Sequence, residues 1–256
     1  MLCGLILALS ACGAFPATPP ATLSVYAAAS LSEAFTRIGQ DFESGHPGTR
    51  VIFNFAGSQQ LAQQLAQGAP ADVFASANPQ QMNAVVEAGR VRAGAQAVFA
   101  RNRLVVIFPN DNPADLRTLA DLARPGLRLV VAAQEVPAGR YALEFLERAS
   151  QDGGFGSTFK ADTLRNVVSY EENVRAVLSK VVLGEADAGI VYTSDVDGSA
   201  AIGQLDIPDA LNPVASYSIA PIIDSAHPQL AQDFIDSVLS PAGQAVLVQY
   251  GFMPEQ

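Results

Sequence analysis

The stretch YAAASLSEAF, residues 26–35, runs from the end of a strand pattern into a helical one. Its turn carries three alanines and a serine, with no charge and no glycine. A junction of this kind leaves the first N–H groups of the helix uncovered, beside one hydroxyl. The same kind of turn recurs three times further on, and this recurrence decides the reading of the fold.

Outward from residue 26 the chain alternates short β-rich runs with amphipathic segments. LSVYA (23–27), RVIFNF (50–55) and DVFASA (72–77) read as strands. A helix follows each: 31–43, with Leu31, Ala34, Phe35, Ile38 and Phe42 at helical spacing, another from about Ser58, and 79–87 with Pro79 in its first turn. This βαβαβα order predicts an α/β fold with a parallel sheet covered by helices on both faces. Further strands are expected at 103–108, 127–132 and 187–192, and further helices at 115–122, 138–149, 172–183, 228–239 and 241–249. So many elements predict two lobes. The chain crosses between them around 100–104 and in the strand-like PVASYSIAPI, 213–222. The first lobe then takes 23–101 plus 216–256, and the second, 102–215, is inserted.

The recurring junctions are AGS at 56–58, VPAG at 136–139 and ENVR at 172–175. Each opens a helix whose first-turn N–H groups lack intrahelical partners and carry partial positive charge. Several such ends facing one cleft make an anion site without a basic side chain, and in α/β sheets clefts lie at the carboxyl ends of strands. Position by position a plainer reading exists. Ser30 with Glu33 fits an S-x-x-E capping box, Ser58 reads as a cap, and Tyr192 reads as a core tyrosine.

Taken in order and spacing, VYAAASLSEAF, FAGSQQLAQQLAQGAPADVFASAN, EVPAGRYA, ENVRAVLSKV and AGIVYTSD resemble the molybdate-binding proteins of ABC importers, and the likeness runs from Leu23 to Phe252. The resemblance implies a two-lobed periplasmic-binding-protein fold of type II, each lobe a mostly parallel sheet flanked by helices, joined by a two-strand hinge. It implies capture of molybdate or tungstate and delivery to an ABC transporter permease by a monomer, without a cofactor. Molybdenum is then held only as its oxyanion. The residues carried over by motif are Ser30, Ser58, Ala138, Val174 and Tyr192. Arg140 is expected on the rim, with Tyr141 and Leu143 on the packing face of its helix. Glu171 and Glu172 are expected to face outward from the first turn of the helix that follows.

Composition narrows the alternatives. A formal charge of −10 argues against nucleic-acid binding. It also gives no long-range pull on an anion, so any anion site must act locally. An enzyme is the main competing class, but Ser58 lacks a G-x-S-x-G setting, His46 and His227 each precede a proline, and no H-E-x-x-H or cysteine-pair motif occurs. A sensor lobe is a third class, and the sequence carries no signalling or DNA-binding pattern that would favour it.

The N-terminal residues read as targeting. Residues 1–11 contain an apolar run too short to span a bilayer. Leu9-Ser10-Ala11-Cys12 resembles a lipobox, which implies lipidation at Cys12 and an exported protein held at the membrane only by its lipid. No Lys or Arg precedes the run, so the true start is expected upstream of Met1. Residues 12–22 read as a Pro/Thr linker.

Overall fold

The computed structural model describes residues 21–196 and 202–254. The expected signal segment, the linker up to residue 20 and Cys12 lie outside the described residues.

The first half of the chain lays down β1 (Ala21–Ala28), α1 (Ser32–Gly45), β2 (Thr49–Ala56), α2 (Ser58–Ala66), β3 (Val73–Ser76), α3 (Pro79–Glu87) and β4 (Ala97–Asn102). The chain then passes to β5 (Leu104–Pro109), β6 (Leu129–Ala132), α4 (Pro137–Gln151), α5 (Phe159–Arg165), β7 (Val167–Glu171), α6 (Val174–Val182), β8 (Ala188–Tyr192), α7 (Thr193–Val196) and β9 (Ile202–Asp206). It returns through β10 (Ala215–Pro221) to α8 (Pro228–Leu239) and α9 (Pro241–Gln249).

Two five-stranded sheets result, in the orders β2-β1-β3-β10-β4 and β7-β6-β8-β5-β9. Each is mixed. In the first, β1 pairs in parallel with β2 and β3, while β10 runs antiparallel to β3 and β4. In the second, β6 pairs in parallel with β7 and β8, while β5 runs antiparallel to β8 and β9. The two sheets thus repeat one arrangement although the sequence shows no repeat. In each, the strand that arrives from the other lobe, β10 or β5, inserts antiparallel beside a parallel trio.

Burial follows the patterning of the sequence. Along β3, Val73 and Ala75 join the cluster that also holds Phe35 and Phe234, whereas Phe74 faces the cluster of Leu61, Leu65 and Met82. On α1 the buried set is Ala34, Phe35, Ile38, Gly39 and Phe42, a helical stripe. Phe35 lies with its ring centroid 5.7 Å from Phe99 and 6.0 Å from Phe234. Removing an aromatic ring from such a contact typically costs about 3–5 kcal/mol.

Some elements differ from the sequence reading. The helix expected at 115–122 is only a short 3-10 segment at Leu119–Ala123, because Asp115 sits at φ 50 and Thr118 is extended at φ −138 and ψ 161, both outside helical geometry. Residues 167–171 form the edge strand β7, so α6 begins at Val174 rather than at 172. On α4 the packing face is Ala138, Ala142, Phe145, Leu146 and Ala149, with Tyr141 and Leu143 only half-buried. The strand β9 and the short helix α5 were not anticipated. Among the described residues no helix is long and apolar enough to cross a membrane.

Candidate functional site: a neutral cavity between the lobes

The carboxyl ends of β1, β2 and β3 face those of β6, β7 and β8 across a cleft. A small cavity lies there. Ser30, Ser58, Ala138, Val174 and Tyr192 all line it, two from one lobe and three from the other. Every lining residue is neutral. Among the described residues no cluster of His, Cys, Asp and Glu is arranged to hold a metal cation.

Ser30 sits in a 3-10 turn, Ala29–Leu31, between β1 and α1. That turn delays the helix until Ser32, so Ser30 does not cap it and the expected capping box is absent. Glu33 instead accepts from the Ser32 hydroxyl at 2.7 Å and pairs with Arg175 of the other lobe. Freed from capping, the buried Ser30 Oγ lies 2.9 Å from Tyr217 Oη. Ser58 is the first residue of α2, and its Oγ accepts from the Ala77 N–H at 3.1 Å.

Three helix starts reach the cavity without a side chain covering all their donors. Gly57, the cap of α2, has no side chain to offer, although Gln60 Oε1 accepts from its N–H at 3.2 Å. The cap of α4 is Val136, equally unable to accept, and Pro137 in the first position has no N–H, so Ala138 presents the first free amide. On α6, Asn173 Oδ1 takes the Ala176 N–H at 3.0 Å, which leaves the Val174 amide uncapped.

Tyr192 ends β8. Its N–H donates to Asp195 Oδ2 at 3.0 Å, while its buried hydroxyl has no hydrogen-bond partner among the described residues. Burial pushes the phenol well above its usual range, so Tyr192 stays a neutral donor. An orphaned buried hydroxyl costs roughly 1–3 kcal/mol unless something satisfies it.

The lobes touch directly around the cavity. Gln59 Nε2 donates to the Glu172 carbonyl at 2.8 Å, and Gln60 Nε2 to the Glu172 carboxylate at 3.0 Å. Glu172 therefore lies in the turn before α6 and serves the lobe contact. Glu171 belongs to β7, where Lys180 and Ser169 hold it at 2.6 Å each. Neither occupies a helical first turn, and neither lines the cavity. Arg140 is exposed on the rim and reaches Gln80 across the cleft. Gly57 permits this closeness: a Cβ there would stand 2.5 Å from the Glu172 carbonyl oxygen.

Sequence reasoning missed Asn102 and Tyr217, and it gave Gly57 and Asn173, which stand in the quoted junctions, no role of their own. Asn173 carried a readable signal, being an Asn directly before an apolar helical pattern. Tyr217 carried none, since its partner lies 187 residues away.

A family model described as bacterial extracellular solute-binding protein matches residues 23–253. The chain belongs to that family. These solute-binding proteins are substrate-binding components of transport systems that act outside the cytoplasm. A curated relative, the molybdate-binding protein ModA of Mycobacterium tuberculosis H37Rv, is 42% identical over 97% of this chain and 94% of its own. Among solved structures, the periplasmic molybdate-binding protein of Azotobacter vinelandii superposes with TM-score 0.78 at 20% identity, covering 91% of this chain and all of its own. The sulfate-binding protein SubI of M. tuberculosis gives TM-score 0.81 at 18% identity, covering 91% and 87%. At such identities the superpositions establish the solute-binding fold, and the ligand has to be argued from the cavity.

Proposed function

We propose that this solute-binding protein captures molybdate, or tungstate, in the interlobe cavity as a monomer and delivers it to an ABC transporter permease. The carrying observation is the Tyr192 hydroxyl, buried without a partner beside two serines and three open helix starts in a cavity without charge. A tetrahedral dianion loses its hydration on entry, and donors must replace it. Hydroxyls of Ser30, Ser58 and Tyr192 and amides at Ser58, Ala138 and Val174 supply such donors from fixed elements, so little reorganisation is needed. The 42% identical relative named for molybdate supports this ion over other oxyanions. Sulfate is also a full dianion at neutral pH, so discrimination against it rests on ion size: the smaller ion cannot reach donors on both lobes at once. The role is binding alone, with no catalytic step.

The deciding experiment is a thermal-shift panel of molybdate, tungstate, sulfate, phosphate and chromate. A ligand at a thousandfold excess over its Kd adds about 4 kcal/mol. For a chain of this size that raises Tm by about 8–16 °C. We expect that shift with molybdate and tungstate and a much smaller one with sulfate. No shift with any of the five overturns the reading.

Anchoring through lipid at Cys12 belongs to the same proposal, supported by the Leu9-Ser10-Ala11-Cys12 sequence. Expressed with a functional export signal, the protein should fractionate with membranes, and Cys12→Ser should release it. A wild-type protein that is soluble and unlipidated refutes the anchor and leaves the binding site untouched.

A further inference from the structure

Behind Ser30, away from the cavity lining, stands a chain of side chains whose proton directions can be deduced one by one. Asn102 ends β4, and Tyr217 lies in β10, so both belong to the strands through which the chain crosses between lobes. Asn102 Oδ1 accepts from the Arg103 backbone N–H at 2.9 Å and from Thr193 Oγ1 at 2.9 Å. A backbone N–H can only donate, which fixes the amide: its oxygen faces Arg103 and its nitrogen faces the other way. Asn102 Nδ2 then donates to Ser194 Oγ at 2.8 Å and toward Tyr217 Oη at 3.5 Å. The Asn102 amide approaches its oxygen from one side, and among the described residues the only acceptor within hydrogen-bond distance of the fully buried Tyr217 proton is Ser30 Oγ at 2.9 Å, so in this arrangement Tyr217 donates to Ser30. Burial holds this phenol far above its usual range, so the proton is always present.

We propose that Tyr217 is a positioning residue that fixes Ser30 as a donor to the cavity and so sets selection against protonated oxyanions; the proposal rests on the oxyanion-binding reading above. A lone pair of Ser30 is occupied from behind by Tyr217, as a lone pair of Ser58 is by the Ala77 N–H. Each serine is left with its proton for the ligand. An ion whose four oxygens are all acceptors meets donors throughout. An ion that keeps one proton, such as hydrogen arsenate or hydrogen phosphate, meets no acceptor for it and loses that hydrogen bond on entry. Tyr217 does not line the cavity, so it influences the ion only through Ser30.

The test compares two dianions of equal charge, molybdate and hydrogen arsenate, by competition calorimetry at pH 7.5 on the wild type and Tyr217→Phe. Equal charge removes long-range electrostatics from the ratio of the two Kd values. Phe keeps the ring that packs edge-on against Phe99 and Phe252. Without the phenol, Ser30 can turn a lone pair inward and accept from the protonated ion. The preference for molybdate should then fall about fivefold or more, the usual worth of one hydrogen bond. In a Ser30→Ala background, Tyr217→Phe should leave the ratio unchanged. If both Kd values rise by one common factor, or neither moves, Tyr217 is a packing residue and the proposal is overturned. Should Tyr217→Phe not fold, Asn102→Asp carries the same test: its new carboxylate oxygen accepts the Tyr217 proton, takes it from Ser30, and should lower the ratio likewise. A wild type that binds no molybdate refutes the binding reading itself and is distinguishable from either result.

Discussion

Gly57 and Glu172 meet across the cleft so closely that a methyl group on Gly57 would stand 2.5 Å from the Glu172 carbonyl oxygen. The glycine is required by this approach rather than by its backbone angles, which are φ −59 and ψ 134 and suit any residue. Gly57→Ala is therefore compatible with a folded first lobe but wedges the lobes apart. We expect an unchanged or slightly raised Tm for the ligand-free protein, because alanine also restricts the unfolded chain. Molybdate affinity should drop at least tenfold, since donors on the two lobes no longer converge. A wild-type Kd in Gly57→Ala would show that the contact at Glu172 does not govern closure.

Neutral donors and a rim cation make opposite forecasts. If the proposed site is right, Ser58→Ala and Tyr192→Phe each remove one buried hydrogen bond to a charged ligand. The expected cost is about 1.5–3 kcal/mol, or roughly tenfold to 150-fold in Kd. Arg140, exposed and engaged with Gln80, should cost under about 1 kcal/mol when changed to alanine. Calorimetric titration with molybdate decides between them. Should Arg140→Ala abolish binding while the hydroxyl variants keep it, the dipolar site is wrong.

Asp195 gives the fold a pH signature. Burial lifts its carboxyl from the ordinary 3.8 to about 6, while the Arg175 guanidinium, 3.4 Å away, and the Tyr192 N–H pull the other way. A carboxyl that holds its proton more tightly when folded favours folding at low pH. That contribution is lost as pH rises from about 4 through about 6. Asp195→Asn has no such titration. The difference in Tm, variant minus wild type, should therefore grow more positive across that window and level off above pH 7. Other carboxylates titrate in both proteins and cancel in the difference. A pH-independent difference would mean that Arg175 neutralises Asp195 fully.

Much of this was legible because regular elements write their period into the chain. The stripe on α1 and the unbroken apolar runs of β5 and β6 reflect burial on a helix and within a two-sided sheet, and both could be read directly. The segment 115–122 misled because its apolar spacing is helical while Asp115 adopts positive φ, a backbone choice that hydropathy does not encode. Ser30 was readable as a polar residue at a helix start, and its capping role was wrong because a 3-10 turn displaced the start of the helix by one residue, to Ser32. Tyr217 and Asn102 matter through contacts formed between distant parts of the chain, and nothing near them in sequence announces the partner.

The neutrality of the cavity also shapes how fast it fills. No lysine or arginine lines it, and the chain carries a formal charge of −10, so an arriving dianion is repelled until it is inside the cleft. Salt shortens the reach of that repulsion to about 10 Å at 0.1 M. Association should thus quicken as ionic strength rises, while escape, governed by buried uncharged donors, stays nearly constant. The protein becomes a better scavenger in brine than in dilute medium, the reverse of a trap baited with positive charge.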